Sequence, residues 1–208
     1  MTDRELLAYT LLQIGAISLR PQEPFLWTSG IQSPIYCDNR LTLSHVIARR
    51  LVIDSFVARI SEQFPQIECV AGTATAGIPH AAWIAERLGL PMVYVRNSAK
   101  SHGKQNQVEG RLLASQKVLV IEDTISTGGS SLAAVAALEQ ECAHVLGVAA
   151  IFNYGFASAA EAFAKKNLPL LSLTDFATLI QVALRMQRIE EGDVEALEQF
   201  VQNPYGRT

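Results

Sequence analysis

The chain has 208 residues, of which 49% are hydrophobic and 18% are charged, and its formal net charge is -3. This length suits one α/β domain, and the composition supports a buried core and excludes extended disorder. A slightly acidic chain without a basic stripe is a poor match for nucleic acid, so small molecules are the favoured partners.

The first part of the chain predicts helices separated by a break. Apolar residues recur at helical spacing over residues 3–15 and again over 44–64, where Pro65 ends the pattern. Between them, the stretch AISLRPQEPF contains two prolines that interrupt a helix. A strand is predicted over residues 67–72, followed by the turn TATAGIP and a helical stretch that ends at Gly89.

The remainder alternates strands with helices. Residues 91–96 predict a strand, and 118–122 and 144–152 are apolar runs typical of strands buried on both faces. A helix is predicted over about 130–140, and LPLLSL with two C-terminal helical stretches completes the chain without a linker or a repeat. The predicted fold class is α/β, a mostly parallel central sheet flanked by helices, in a single domain over residues 1–208.

Cysteine usage and the N-terminus bear on location. Cys37, Cys69 and Cys142 are widely spaced, which predicts neither a zinc site nor a disulfide framework and fits a reducing compartment. The N-terminus is charged and has no cleavable apolar core, and no apolar run is long enough to span a bilayer. We therefore expect a cytoplasmic protein that is neither exported nor anchored.

The segment VLVIEDTISTGGSS, residues 118–131, predicts a phosphate site, because ligands of such sheets lie beyond the carboxyl ends of the strands. Backbone N–H groups from Thr127 to Ser130 can converge on a phosphate at the N-terminus of the following helix. Carboxylates at Glu122 and Asp123 suit the hydroxyls of a ribose, or magnesium bound to them. The segment lacks the lysine of a P-loop and the glycine pattern of a dinucleotide fold. A solvated strand-to-helix turn is the simpler alternative.

A second segment carries cations. Arg96, Lys100 and His102 are followed by the polar stretch GKQNQVEG, predicted to be mobile, and such a loop can close on an anion. The alternative interpretation of this segment is a solvated hairpin.

The phosphate segment resembles the phosphoribosyl pyrophosphate signature of type I phosphoribosyltransferases, an apolar strand, two acids, two variable residues, then small hydroxylated residues and glycine. Over residues 5 to about 190 the chain further resembles orotate phosphoribosyltransferases. FLWTSGIQSPIYCDNRLTL, 25–43, is similar to their N-terminal hood over the base; GTATAGIPHA, 72–81, to their pyrophosphate loop; and VRNSAKSHG, 95–103, to their mobile catalytic loop.

The resemblance implies transfer of phosphoribosyl from phosphoribosyl pyrophosphate to N1 of orotate, giving orotidine 5'-monophosphate and pyrophosphate on the route to UMP. It implies a hood formed by about residues 1–43 with C-terminal segments, a homodimer whose mobile loop reaches the neighbouring subunit's site, and Mg²⁺ held mainly by the substrate without direct protein ligation. The implied catalytic residues are Arg96, Lys100, His102 and Asp123. Those implied to bind phosphoribosyl pyrophosphate are Thr75, Ala76, Arg96, Lys100, His102, Glu122, Asp123, Thr124, Ile125, Ser126, Thr127, Gly128, Gly129 and Ser130, and those implied to bind orotate are Ser126 and Tyr36.

Three positions depart from the family pattern. Ser98, Gln32 and Ala76 stand where family members frequently have lysine, so weaker contact with pyrophosphate or with the orotate carboxylate is expected. His80 and His144 are interpreted as structural residues. Two further functions stay open, a phosphoribosyltransferase for another nucleobase and a non-catalytic regulator that senses phosphoribosyl pyrophosphate.

Overall fold

The computed structural model describes residues 1–26, 30, 32–97 and 107–204, and its centre is a six-stranded sheet. Five strands are parallel and one edge strand is antiparallel to its neighbour, which confirms the predicted α/β class with a mostly parallel sheet. In order across the sheet the strands are β10 (Leu170–Asp175), β9 (His144–Asn153), β8 (Lys117–Ile125), β5 (Cys69–Thr73), β6 (Met92–Val95) and the antiparallel β7 (Val108–Glu109).

Helices cover both faces of this sheet, and alternate residues of β8 enter opposite cores. Leu119 and Ile121 lie in one apolar cluster, whereas Val118 and Val120 lie in the other, which explains the uninterrupted apolar run of this strand. The first cluster is covered by α1 (Asp3–Gln13), α2 (Val46–Gln63), α3 (Gly77–Leu88), α6 (Phe176–Arg185) and α7 (Glu191–Gln202), and the second by α4 (Gly129–Gln140) and α5 (Ala157–Lys165). None of the helices in the described part of the chain has the length and hydropathy needed to cross a membrane.

The segment between α1 and α2 forms two small antiparallel sheets. One pairs β1 (Ile17–Leu19) with β4 (Ile35–Cys37), the other pairs β2 (Phe25–Leu26) with β3 (Gln32–Ser33), and a 3₁₀ helix follows over Asn39–Leu43. Gln22 donates to the carboxylate of Asp193 in α7 at 2.7 Å, and Arg185 in α6 donates to Glu5 in α1 at 2.6 Å. These bonds hold the N-terminal segment against the C-terminal helices.

Several element boundaries differ from those predicted. The strand predicted over 118–122 continues to Ile125, because Thr124 and Ile125 pair with the end of β9. Residues 108–109, predicted to belong to a mobile loop, form β7, because Val108 is buried and pairs with Val95. The helix α5 was not predicted, although its buried residues Ala159 and Phe163 have helical spacing.

A glycine brings α3 against the sheet. A Cβ atom at Gly77 would lie 2.4 Å from the carbonyl oxygen of Ile121 and 2.5 Å from Oγ1 of Thr73, so only glycine fits where the helix starts. This close approach sets the turn over residues 74–76 beside the end of β8.

Candidate active site

The predicted site segments meet at one edge of the sheet. β5, β6 and β8 are parallel and adjacent, so their carboxyl ends lie together. The turn over residues 74–76 follows β5, Arg96 follows β6, and the acidic pair lies in the last residues of β8. This edge is where ligands of open parallel sheets bind.

The acidic pair is built into the strand, and Glu122 is almost fully buried. Its carboxylate accepts hydrogen bonds from the Asp123 N–H at 3.1 Å and from the hydroxyls of Ser130 at 3.3 Å and Ser131 at 3.2 Å. Burial, and then the charge of the neighbouring half-buried Asp123, raise the pKa of Glu122 to about 7. Glu122 therefore ties the end of β8 to the first turn of α4.

The start of α4 has the geometry of an anion cradle. Gly128 has a φ of +79°, and a Cβ atom there would lie 2.8 Å from the ring of Phe163 in α5. No side chain among the described residues caps the N-terminus of α4, so its first N–H groups point outward without a side-chain acceptor. Ser126 and Thr127 are half-buried and Ser130 is exposed, which places their hydroxyls around the cradle. Together with the helix dipole, these donors favour a phosphate.

The turn after β5 adds a second helix start at the same edge. Thr75 is exposed, Ala76 is half-buried, and the peptide bond between Ala74 and Thr75 is cis. The Ala74 N–H donates to the carbonyl of Val95 at 2.8 Å, which links this turn to β6. Within the described residues, α3 also begins without a side-chain cap.

Arg96 lies at the mouth of a cleft of about 160 Å³ whose lining includes Thr73 and Ser130. Its Nη1 is 3.7 Å from Oε1 of Glu109, and its N–H donates to the carbonyl of Gln107 at 2.9 Å. These contacts join the two described ends of the cation-bearing segment, so the hairpin interpretation applies to these ends. Arg96 thus lies close to the cradle of its own chain.

The remaining cations of that segment, Lys100 and His102, and the departure at Ser98 lie outside the described residues. Gln32, another departure, is exposed on β3 and lines a groove that also includes Pro34 and Phe200. This groove lies between the N-terminal sheets and α7.

Tyr36 presents an exposed aromatic ring on β4, directly before Cys37, which contacts Thr124 in β8. The residue is 45% exposed, and its ring centroid lies 5.6 Å from that of Phe25. The guanidinium of Arg20 lies 4.8 Å from the Phe25 centroid, so the small sheets carry an exposed array of one cation and two rings. Such a surface suits a planar ligand.

A buried and a half-buried side chain near this surface, Asn39 and Cys37, were missed by sequence reasoning. Asn39 donates from Nδ2 to the carbonyl of Asp123 at 3.0 Å and to Oγ1 of Thr124 at 2.9 Å. The sulfur of Cys37 lies 3.6 Å from the same Thr124 oxygen, and burial raises the pKa of this thiol to about 12, so it stays protonated. The short motif CDNR gave the only sequence signal for this link.

Tyr154 is the other missed candidate. It follows β9 directly and is buried between the rings of Phe152 and Phe156. Burial, and then the neighbouring groups of Cys37 and Asp123, raise the pKa of its phenol. The rule that ligands lie at the ends of parallel strands could have identified this residue.

A cleft of about 890 Å³ lies beyond the ends of β9 and β10 and is bordered by α1, α6 and α7. None of the described residues predicted to bind substrate lines it, although the missed candidate Tyr154 does. Its one arginine, Arg4, already donates to Asp175, which also caps α6. The chemistry of the sheet edge, with its carboxylates and open helix starts, therefore marks the candidate active site more strongly than cleft size does.

Comparisons with known proteins bear on the family of this chain. A family model described as a phosphoribosyl transferase domain matches residues 45–181. The chain is 56% identical over 198 residues to an orotate phosphoribosyltransferase of Bacillus caldolyticus, an alignment that covers 95% of this chain and 96% of that protein. The solved orotate phosphoribosyltransferase of Aeropyrum pernix is 28% identical with a TM-score of 0.77, over 88% of this chain and 99% of that one. That of Mycobacterium tuberculosis, solved in complex with 5-phospho-alpha-D-ribosyl 1-diphosphate, is 28% identical with a TM-score of 0.66, over 86% of this chain and 99% of that one.

Proposed function

Because the chain belongs to the phosphoribosyltransferases and, among them, to the orotate phosphoribosyltransferases, we propose a role for each part of its site in the transfer of phosphoribosyl to orotate. The enzyme is a pentosyltransferase of pyrimidine biosynthesis, which makes orotidine 5'-monophosphate and pyrophosphate. The observation that carries this function is the 56% identity along nearly the whole chain. The same observation disfavours another nucleobase or a non-catalytic sensor.

The start of α4 binds the 5'-phosphate of the donor. Its N–H groups from Thr127 to Ser130 supply the donors, and the Ser126, Thr127 and Ser130 hydroxyls add to them. Asp123, half-buried at the end of β8, accepts hydrogen bonds from the ribose hydroxyls, and Glu122 supports it from below. The related M. tuberculosis enzyme solved with this donor supports the choice of ligand.

The acidic pair also fits Mg²⁺ as the cofactor. The described residues contain no cluster of three or more His, Cys, Asp and Glu side chains that could hold a metal ion alone. The negative charge of this pair next to the phosphate cradle would favour a magnesium ion whose shell is filled mainly by substrate oxygens and water. The ion, when bound, neutralises charge that develops on the pyrophosphate.

Cations and turn N–H groups stabilise the leaving group. As the bond from ribose C1' to the pyrophosphate oxygen breaks and the bond to N1 of orotate forms, positive charge grows on the sugar and negative charge on pyrophosphate. Arg96 and Lys100 counter the negative charge, His102 hydrogen-bonds or protonates the leaving oxygen, and the turn at Thr75 and Ala76 lines its path. Closure of the loop that carries them excludes water, which would otherwise hydrolyse the donor.

Orotate lies between the N-terminal sheets and the end of β9. The exposed ring of Tyr36 covers the planar base, Ser126 reaches both the phosphate and the base, and Tyr154 closes the far wall. The active unit is a homodimer in the cytoplasm. The three free cysteines support a reducing compartment, and the exposed apolar side chains of Leu41, Val46 and Ile47 support an interface beside the site.

The test of function is loss of orotate absorbance with phosphoribosyl pyrophosphate and Mg²⁺ present, coupled to detection of pyrophosphate and orotidine 5'-monophosphate. We expect all three signals to change in step. Turnover of uracil or hypoxanthine in place of orotate would contradict the proposed substrate.

A further inference from the structure

Asn39 joins the N-terminal sheets to the acidic end of β8. The side chain is fully buried, and its two hydrogen bonds reach the backbone of Asp123 and the hydroxyl of Thr124. Within the described part of the chain, Asn39 and Cys37 make all the side-chain hydrogen bonds between residues 17–43 and β8. This amide therefore adds a second support, besides the pairing of β8 with β9, to the backbone from which the Asp123 carboxylate projects.

The amide lies underneath the site and does not line it. Oδ1 of Asn39 is buried as well and has no hydrogen-bond partner among the described residues. Because the side chain is fully buried, a substrate cannot contact it in this arrangement. Any effect of Asn39 on substrate must pass through the residues to which it donates.

We infer that Asn39 is a positioning residue that aligns Asp123 with the ribose hydroxyls of the donor, an inference that rests on the proposed function. Without the amide, the carbonyl of Asp123 loses a buried donor, and an unpaired buried acceptor costs about 1–3 kcal/mol. The end of β8 then shifts to regain a partner, and small displacements of a binding group are enough to weaken contact with a substrate.

The phosphate cradle is held by different contacts. Glu122 binds Ser130 and Ser131 at the start of α4, and Phe163 packs under Gly128. Removal of Asn39 should therefore weaken ribose binding and leave phosphate binding intact. A general loss of folding would weaken both.

The experiment compares two probes on Asn39→Ala by calorimetry, at fixed Mg²⁺ and without orotate. For phosphoribosyl pyrophosphate we expect Kd to rise about tenfold, equivalent to ~1.4 kcal/mol. The Kd of inorganic phosphate is measured by its competition with phosphoribosyl pyrophosphate. We expect it to stay within about twofold of the value for the parent protein, a change worth less than ~0.5 kcal/mol. The contrast between the probes is the signature of positioning.

Ser33→Ala is the matched control. Ser33 is fully buried in the same segment, but its hydroxyl donates only to the carbonyl of Ile35 within that segment. This variant should lower stability and leave both dissociation constants unchanged. Thr124→Val, of the same shape, removes one acceptor of Asn39 and should weaken donor binding more than phosphate binding, by less than Asn39→Ala does. The variant with both Asn39→Ala and Thr124→Val should lose no more donor affinity than Asn39→Ala alone, since both changes break the same link.

Equal weakening of both probes by Asn39→Ala, or the same weakening by Ser33→Ala, would overturn the inference. If Asn39→Ala does not fold, the contrast between probes in Asn39→Leu, which keeps the side-chain volume and removes the donor, decides it, because Thr124 is itself expected to contact the donor substrate. Because orotate is absent from these titrations, an unaltered chain that binds the donor without converting orotate would contradict the proposed function and leave the role of Asn39 standing.

Discussion

At the scale of single residues, the charge of Glu122, which has a proposed binding role, has a cost to stability. Its pKa is raised from an ordinary value of 4.5 to about 7, first by burial and then by the charge of Asp123. Stability from this group is fully present below pH 4.5, where the unfolded chain is also protonated, and is lost as pH rises through 7. The loss above pH 7 is roughly 3 kcal/mol, at 1.36 kcal/mol for each pKa unit.

Glu122→Gln keeps the shape and removes the charge. We expect this variant to be more stable than the parent protein at pH 8 in urea unfolding, and the difference to shrink as pH falls toward 4.5. Donor binding should weaken about tenfold at pH 8, because an amide is a poorer acceptor than a carboxylate and adds no charge for Mg²⁺. Equal stabilities of the variant and the parent protein at pH 8 would show that the buried charge of Glu122 does not lower the free energy of unfolding.

His80 has the opposite dependence on pH. It is fully buried, neither ring nitrogen has a partner among the described residues, and burial lowers its pKa from 6.5 to about 4. Between these values the unfolded chain binds the proton and the folded chain does not, so stability is full above pH 6.5 and falls toward pH 4. The loss at pH 5 is about 2 kcal/mol.

His80→Leu should remove this part of the acid sensitivity. Urea unfolding at pH 7 and pH 5 should give a smaller difference in stability for the variant than for the parent protein. His144→Leu is the control, because His144 is exposed and the substitution leaves the buried ring in place. An unchanged difference in His80→Leu would mean that water or a shifted neighbour solvates the imidazolium.

At the scale of elements, the start of α4 can be tested with two adjacent glycines. Gly128→Ala meets both a positive φ and the ring of Phe163, so we expect a loss of about 1–3 kcal/mol in the free energy of unfolding. Gly129→Ala meets nothing closer than 3.8 Å and should be neutral or stabilising by about 0.5–1 kcal/mol. Its methyl group would nevertheless stand over the phosphate, so donor affinity should fall in both variants. Unaltered donor affinity in Gly129→Ala would contradict the placement of the phosphate at the start of α4.

The elements that could be predicted from sequence are those with local signals. The apolar run and acids of β8 gave the strand and the cradle, because each depends on neighbours in the chain. The extension of β8 to Ile125 depends on pairing with β9, and the bonds of Asn39 join residues 84 and 85 positions apart. Such long-range contacts leave little trace in one sequence. Phe163 shows the same limit, since α5 was not predicted yet supports the turn at Gly128.

At the scale of the whole molecule, the proposed dimer explains an exposed apolar surface next to the site. Ile47 is 83% exposed at the start of α2, and Leu41 and Val46 beside it are also exposed. Single exposed apolar residues are ordinary, but a group of them beside a binding site favours an interface. In a twofold dimer, both copies of this surface would meet, and the segment that contains Lys100 and His102 could reach the partner's site.

Mixing two inactive chains tests the shared site. Lys100→Ala lacks a loop cation and Asp123→Asn lacks the ribose acceptor, so each homodimer should be inactive. If the loop acts across the interface, each heterodimer has one complete site, and a random equal mixture should recover roughly a quarter of parental activity per chain. No recovery in verified heterodimers would mean that the loop serves its own chain. Arg96 lies near Glu109 and Ser130 of its own chain. A mixture of Arg96→Ala with Asp123→Asn then decides whether Arg96 acts in its own site or contacts the pyrophosphate in the partner's site.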